Sequence, residues 1–257
     1  MFKELFQYRE LLKTNIKKEI RGKYKASFLG VLWSFINPLL QVLVYAIVFP
    51  YMLGNTGDDY IIYLITGIIP WTYFSAALTG CVGCIKNNSG IIKKVYFPRA
   101  ILPLSTVISC FINFLISCLI ILLFCIFWGT GISWHIVFAP FIGLIEGMLV
   151  LGLGLALGAM DAYVQDLEYI VSFLLTMAFY GAPIVYKIST FGGKSLIGKL
   201  IRLNPFTTLL DAYRNIFLYH QIPNMLSLAL ITLLAFGVLV IGYLIFKKLE
   251  KGFAEQF

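Results

Sequence analysis

Long uncharged apolar stretches alternate with short charged segments along most of the chain. Residues 100–145 include no Asp, Glu, Lys or Arg, and as one helix this run would be roughly 69 Å long, over twice the hydrocarbon thickness of a bilayer. The run must therefore fold back, and we expect the turn at the break in 129–135. The whole pattern predicts six membrane-spanning helices, at residues 31–53, 60–85, 101–128, 136–160, 169–186 and 223–246.

The composition agrees with a membrane protein. Of the 257 residues, 60% are apolar and 12% charged, and the mean hydropathy is +0.89. A soluble core of this length could not bury so many apolar side chains, whereas lipid can solvate them. The composition excludes a soluble enzyme, a secreted disulfide scaffold and a disordered tail. The five cysteines fall in or at the ends of apolar segments, and their odd number indicates no disulfide framework.

The positions of the basic residues predict the orientation. With six spans, both chain ends lie on one side, together with 15 of the 20 Lys and Arg residues. Loops rich in Lys and Arg face the cytoplasm, so we expect both termini to be cytoplasmic. The loop 161–168, which this topology also places inside, has three acidic residues and no base and gives no support.

The first 30 residues have the pattern of an amphipathic helix. Lys and Arg side chains fill the faces between apolar positions that recur every three to four residues, at Leu5, Tyr8, Leu12, Ile16 and Ile20. Such a helix lies along the inner leaflet with its ammonium groups at anionic headgroups. Membrane lipids are therefore expected partners, and a simple membrane anchor would have the same pattern.

The connection between the fifth and sixth spans, residues 187–222, is too long for a simple loop. Asn204 and Pro205 are typical of an N-cap and a first helical position, and apolar residues then recur at helical spacing. Asp211 and Arg214 would share the opposite, charged face. We expect this helix to lie in the outer interface or to dip into it as a re-entrant hairpin; a surface helix without a task is the alternative.

These segments predict an all-α integral membrane protein. A single transmembrane domain covers residues 1–257: a cytoplasmic interface helix in 1–30, five spans in 31–186, external re-entrant helices in 187–222, the last span in 223–246 and a cytoplasmic tail in 247–257.

Short matches to catalytic motifs fail on their context. The Gly-Lys-Ser sequence at 193–195 lacks the earlier glycine of a phosphate-binding loop, and no strand precedes it. The glycines in 152–158 favour close helix packing over dinucleotide binding, because they lie inside an apolar helix. Cys81 and Cys84 are two helix-facing thiols by default. We expect no enzyme, no metal site and no nucleic-acid partner.

Polar and aromatic side chains inside the spans are the remaining candidates. A carboxyl group in lipid is costly, so Glu146 must either line a pathway or bond a neighbouring helix. Sugar rings pack on aromatic faces without fixed hydrogen bonds, which a polymer conduit requires. Interface belts and helix packing are the ordinary roles of such rings. The candidate channel aromatics are Trp33, Tyr45, Phe49, Trp71, Tyr73 and Phe74.

Several segments resemble one family over essentially the whole chain. Residues 21–33, Arg-Gly-Lys-Tyr-Lys-Ala-Ser-Phe-Leu-Gly-Val-Leu-Trp, with Asn-Pro-Leu at 37–39, resemble the start of the first span in ABC-2-type permeases that export O-antigen or teichoic acid polymers. Val-Tyr-Phe-Pro-Arg at 95–99 and Leu-Asn-Pro at 203–205 are similar to two further segments of that family. The chain departs from the pattern at Gln165, where an Arg is expected.

The resemblance implies a half-size subunit of a bacterial cell-membrane exporter. Two copies would surround a channel, and a separate ATPase subunit would hold ATP and Mg²⁺. The cargo would be a glycan on a polyprenyl diphosphate lipid. The first helix and residues 85–99 would dock the ATPase, through Lys86, Lys93, Lys94, Tyr96 and Arg99. The external segment would gate the outer mouth, with Asn204, Pro205, Asp211, Tyr213 and Arg214.

We further hypothesise that Arg21, Lys23 and Lys25 meet the diphosphate where the lipid-linked end enters, because clustered bases form strong charge-assisted hydrogen bonds with phosphate. Anchoring by positive charge is the alternative role. Two other functions stay open: an ABC-2 exporter of drugs or small lipids, and a polytopic membrane enzyme that acts on polyprenyl lipids.

Overall fold

The computed structural model describes residues 7–24, 32–53, 59–164, 166–188 and 196–253. These residues form helices and no strands, as the all-α prediction requires. The α-helices are α1 (Arg9–Tyr24), α2 (Trp33–Leu53), α3 (Tyr60–Asn87), α4 (Ser89–Ile92), α5 (Ile101–Phe127), α6 (Ala139–Asp161), α7 (Leu167–Gly181), α8 (Leu196–Leu203), α9 (Pro205–Phe217) and α10 (Met225–Leu249). Short 3-10 helices lie at Trp134–Phe138 and Glu250–Gly252.

Four helices in the described residues are long and apolar enough to cross a bilayer. They are α3, α5, α6 with its preceding 3-10 turn, and α10. The apolar parts of α2 and α7 are shorter, at Ile36–Met52 and Leu167–Gly181. All six predicted spans are therefore largely helical, while six crossings remain a prediction.

Helix α7 ends earlier than predicted. The apolar pattern extended the fifth span to Tyr186, but the helix stops at Gly181, and Ala182 is extended with φ −108° and ψ 147°. Proline disfavours helical conformation in the residue before it, and Ala182 precedes Pro183. The predicted boundary was wrong because it was based on the apolar run alone, which continues past the end of the helix.

The predicted turn between the third and fourth spans is confirmed. Gly129 and Gly131 have φ values of 77° and 78°, in the left-handed region that glycine occupies without steric cost. The chain reverses there between α5 and α6.

Helix α3 lies at the centre of the bundle, and α6 packs closely against both α3 and α10. A Cβ atom at Gly158 would lie 2.5 Å from the carbonyl oxygen of Cys81, and one at Gly152 would lie 2.6 Å from the backbone nitrogen of Leu239. These glycines allow backbone contact between helices. The packing role predicted for them is confirmed.

Among the described residues, more Lys and Arg lie at one end of the bundle than at the other. At one, called the basic end, lie the end of α3, the start of α5, the end of α10 and α1, with Lys18 Nζ 3.4 Å from Asn88 Oδ1. Its basic residues include Lys86, Lys93, Lys94, Arg99, Lys247, Lys248 and Lys251. At the opposite end, called the far end, Tyr60 donates to the Val185 carbonyl at 2.7 Å, and α9 packs over the bundle.

A candidate conduit wall and its two ends

Four of the six predicted channel aromatics belong to one cluster of rings, the aromatic cluster. The Trp71 ring lies 5.6 Å from Phe74, 5.8 Å from Phe179 and 5.1 Å from Phe206, between ring centroids. Tyr45 is 5.8 Å from Phe179, and Phe49 is 5.5 Å from Tyr45. The cluster joins α2, α3, α7 and α9.

Sequence reasoning missed two members of this cluster. Phe179 and Phe206 lie in α7 and α9, more than a hundred residues from Trp71 along the chain. The helical spacing of α9 included Phe206 as an apolar position, but no sequence signal connected it to the first two spans.

A polar groove adjoins the aromatic cluster between α2, α3 and α7, and we call it the α2–α7 groove. Its volume is about 310 Å³. Hydroxyl and amide groups share its lining with aromatic rings, and they belong to Gln41, Ser75, Thr79, Ser172 and Thr176. Neutral donors and acceptors beside rings offer sugar hydroxyls many exchangeable partners.

The other two predicted aromatics lie elsewhere. Trp33 and Tyr73 line a second groove of about 300 Å³ between α2, α3 and α5. This groove also presents the polar side chains of Asn37, Thr72, Asn113 and Ser117. Two of the six rings, Tyr45 and Trp71, thus line the α2–α7 groove, and Trp33 and Tyr73 line the second groove. The rings of Phe49 and Phe74 lie behind, against Tyr45 and Trp71.

The far end is held together by a buried arginine. Arg214 is 2% exposed, and its guanidinium lies 3.5 Å from the centroid of the Tyr63 ring. Its Nη2 donates to the Pro183 carbonyl at 2.6 Å. A Cβ atom at Gly67 would lie 3.2 Å from the same nitrogen, so the glycine gives the guanidinium room. Arg214 thereby ties α9 to α3 and to the segment after α7.

The prediction for the charged residues of this helix was partly wrong. The helix begins at Pro205 as predicted, and Asn204 Oδ1 accepts from the Phe206 N–H at 3.0 Å. Asp211 is exposed, but Arg214 is buried instead of sharing an outer charged face with it. The aromatic face and carbonyls that desolvate Arg214 come from distant segments, and the local pattern does not contain them.

Glu146 bonds a neighbouring helix. Its Oε2 accepts a hydrogen bond of 2.9 Å from the Tyr213 hydroxyl, and both side chains are fully buried. Glu146 Oε1 and the Tyr73 hydroxyl have no hydrogen-bond partner among the described residues. Of the two roles open for this carboxyl group, the structure supports the bond to a neighbouring helix, with α9 as the neighbour.

The segment between α3 and α5 presents three large apolar side chains outward at the basic end, Ile91, Val95 and Tyr96. We call residues 91–99 the docking loop. Ile92 and Phe97 are buried, whereas Val95 is exposed and Tyr96 is 89% exposed. Aromatic residues at an exposed position are enriched in protein interfaces.

The predicted docking lysines and arginine occupy different environments. Lys93 and Lys94 are exposed, and Lys86 is half-buried near Asp161. Arg99 contacts Glu250 through its backbone N–H, at 3.3 Å from Oε1, and through its guanidinium. Arg99 thus belongs to the inner side of the loop.

Helix α1 is amphipathic as predicted and also packs on α5. Leu12 and Ile16 are half-buried while Lys13 and Lys17 are exposed. Glu19, which sequence reasoning missed, accepts hydrogen bonds from two α5 hydroxyl groups, Thr106 at 2.7 Å and Ser109 at 3.0 Å. The helix is therefore bonded to the bundle.

The three bases proposed for the lipid diphosphate are described only in part. Arg21 is exposed near the end of α1. The side chain of Lys23 and the whole of Lys25 lie outside the described residues.

Comparison with known proteins gives one family. The ABC-2 type transporter family profile matches residues 10–218. The chain is 32% identical to the O-antigen export system permease protein RfbA of Myxococcus xanthus over 256 residues, which cover 100% of this chain and 98% of that protein. It is 31% identical to an RfbA of Klebsiella pneumoniae, covering 96% and 94%. It is 23% identical to the polysialic acid transport protein KpsM of Escherichia coli, covering 91% and 92%.

Proposed function

The chain belongs to the ABC-2 type transporter family, and from this premise we propose that it is the permease subunit of an exporter that moves polysaccharide across the bacterial cell membrane. The cargo in this proposal is an O-antigen, teichoic acid or related glycan on a polyprenyl diphosphate lipid. A separate subunit binds and hydrolyses ATP. Both termini lie in the cytoplasm, which makes the basic end the cytoplasmic end and the far end the outer mouth.

The aromatic cluster beside the α2–α7 groove is the observation that carries this function. A moving polymer needs a surface that holds each sugar weakly and lets it go. Ring faces attract pyranose C–H groups without fixed geometry, and neutral hydroxyl and amide groups exchange hydrogen bonds. Charged side chains would bind more strongly and slow passage, and the described residues that line the groove include none.

A second copy of the chain completes the conduit in this proposal. Polar groups in contact with lipid tails are costly, so the α2–α7 groove requires a cover. The exposed faces of α2 and α7 flank it, with large apolar side chains at Leu43, Ile47, Tyr51, Phe173, Met177 and Tyr180. These faces would form an isologous contact that encloses the two grooves.

Transport by reconstituted protein tests the function. In vesicles with the cognate ATPase, export of lipid-linked polymer should require ATP and both subunits. We expect Trp71→Ala to reduce the export rate at least tenfold, since it removes the central ring of the aromatic cluster, while ATPase binding persists. Trp134→Ala is the matched control, because Trp134 is exposed outside the cluster. Equal rates for the two variants would exclude the cluster from the conduit.

The diphosphate hypothesis has its own test. Replacement of Arg21, Lys23 and Lys25 by glutamine should weaken binding of polyprenyl diphosphate in nanodiscs and spare assembly with the ATPase. If diphosphate binding and assembly with the ATPase were lost to the same extent, the three bases would have no specific role in binding the diphosphate, and anchoring by positive charge would be favoured.

A further inference from the structure

We infer that residues 249–253, called the tail clamp, position the docking loop so that its exposed side chains meet the ATPase in one arrangement. This inference rests on the proposed function and on the ATPase docking that the family resemblance implies for residues 85–99. Its evidence is a set of contacts at the basic end that involve neither the aromatic cluster nor the far end.

The tail clamp is folded onto the bundle by aromatic packing. Phe253 is fully buried, with its ring 5.7 Å from Phe246 at an interplanar angle of 82° and 6.2 Å from Tyr163. The Tyr163 hydroxyl donates to the Leu249 carbonyl at 2.8 Å. A Cβ atom at Gly252 would collide with that hydroxyl, so the close approach requires glycine there. The turn after α6 therefore holds the clamp.

The clamp in turn holds the end of the docking loop. The Arg99 N–H donates to Glu250 Oε1 at 3.3 Å, and the Arg99 guanidinium donates to the Glu250 carbonyl. The same guanidinium lies 5.6 Å from the centroid of the Phe253 ring. One residue thus makes three contacts with the clamp.

The exposed part of the docking loop depends for its shape on anchors next to it, the buried Phe97 side chain and Arg99 bound to the clamp. Residues 95–98 have no regular secondary structure, and the side chains of Val95 and Tyr96 extend away from the protein. Ordering such a segment upon binding costs conformational entropy, which weakens the complex. A loop whose end is already fixed at Arg99 binds with less of this cost. Arg99, Glu250 and Phe253 are positioning residues, and Tyr96 touches the partner.

The experiment measures ATPase affinity and loop mobility in the full-length protein in nanodiscs. We expect Phe253→Ala to raise the dissociation constant for the ATPase about tenfold, since it removes the buried ring that supports Arg99. A spin label introduced through Val95→Cys should become more mobile in that variant. Phe253→Leu, which keeps apolar bulk, should restore most of the affinity. Lys251→Ala is the matched control in the same segment, because Lys251 is exposed.

Two further variants keep the test decisive. Arg99→Lys retains the charge and loses the planar guanidinium, so it should reproduce both effects if Phe253→Ala fails to fold. Tyr96→Ala should abolish ATPase binding without changing label mobility. Normal affinity in Phe253→Ala and Arg99→Lys, with binding lost in Tyr96→Ala, would overturn the clamp and leave docking intact. Normal affinity in Tyr96→Ala would overturn the docking role itself.

Discussion

At the scale of single residues, Glu146 is the carboxyl group whose substitution we expect to lower stability and export most. Glu146→Ala removes the acceptor of the buried Tyr213 hydroxyl, and an unpaired buried hydroxyl costs about 1–3 kcal/mol. We expect lower thermal stability in detergent and reduced export, measured by unfolding fluorescence and by vesicle transport.

The matched variants separate the hydrogen bond from the charge. Glu146→Gln keeps the size and an acceptor oxygen, so its stability and export should stay near those of the unaltered protein. As a single substitution, Tyr213→Phe should destabilise the protein. Combined with Glu146→Ala it should add little further destabilisation, because both substitutions remove the same hydrogen bond. Inactive but stable Glu146→Gln would mean that the carboxyl group itself serves transport.

Arg214 is the second residue with a sharp expectation. Lysine in its place keeps the charge but cannot lie flat on Tyr63 while donating to the carbonyls after α7. Arg214→Lys should lower the unfolding temperature and reduce the export rate several-fold. Arg202→Lys, at an exposed position of α8, should change neither. Unchanged stability in Arg214→Lys would contradict the role of the planar guanidinium in closing the far end.

At the scale of helices, the contact of α6 with α3 depends on having no side chain at one position. The Cβ atom of Gly158→Ala would press on the Cys81 carbonyl, and overpacking of this kind typically costs about 1–3 kcal/mol. We expect reduced yield of folded protein and a lower unfolding temperature. Gly237→Ala is the control, because nothing lies within 4 Å of its new Cβ atom. Similar effects of Gly158→Ala and Gly237→Ala would show that the close packing of α6 on α3 does not determine the stability of the protein.

Helices were predictable where the signal is local, and their partners were not. Asn204 with Pro205 marks the start of α9 through one hydrogen bond from a backbone N–H to the Asn204 side chain and one fixed φ angle, both readable in sequence. The same helix buries Arg214 on Tyr63, and that ring lies about 150 residues away. Glu19 of α1 similarly bonds hydroxyl groups of α5. Amphipathic spacing indicates which face is apolar, but a single sequence does not state what covers it.

At the scale of the whole molecule, the two chain ends provide a test of orientation. Helix α1 and the tail clamp both lie at the basic end, and its Lys and Arg residues predict a cytoplasmic location. Epitope tags at the two termini should both be inaccessible to antibody in intact spheroplasts and accessible after permeabilisation. A tag detected on intact spheroplasts would reverse the topology.

The glycine contacts of α6 also limit how the protein can move. Helices whose backbones touch cannot slide or part without losing that contact, so we expect α3, α6 and α10 to move as one body during transport. The described part of α2 has no glycine, and in α7 nothing lies within 4 Å of a Cβ atom at Gly181. We therefore expect any widening large enough for a sugar chain to come from movement of α2 and α7 relative to α3, α6 and α10.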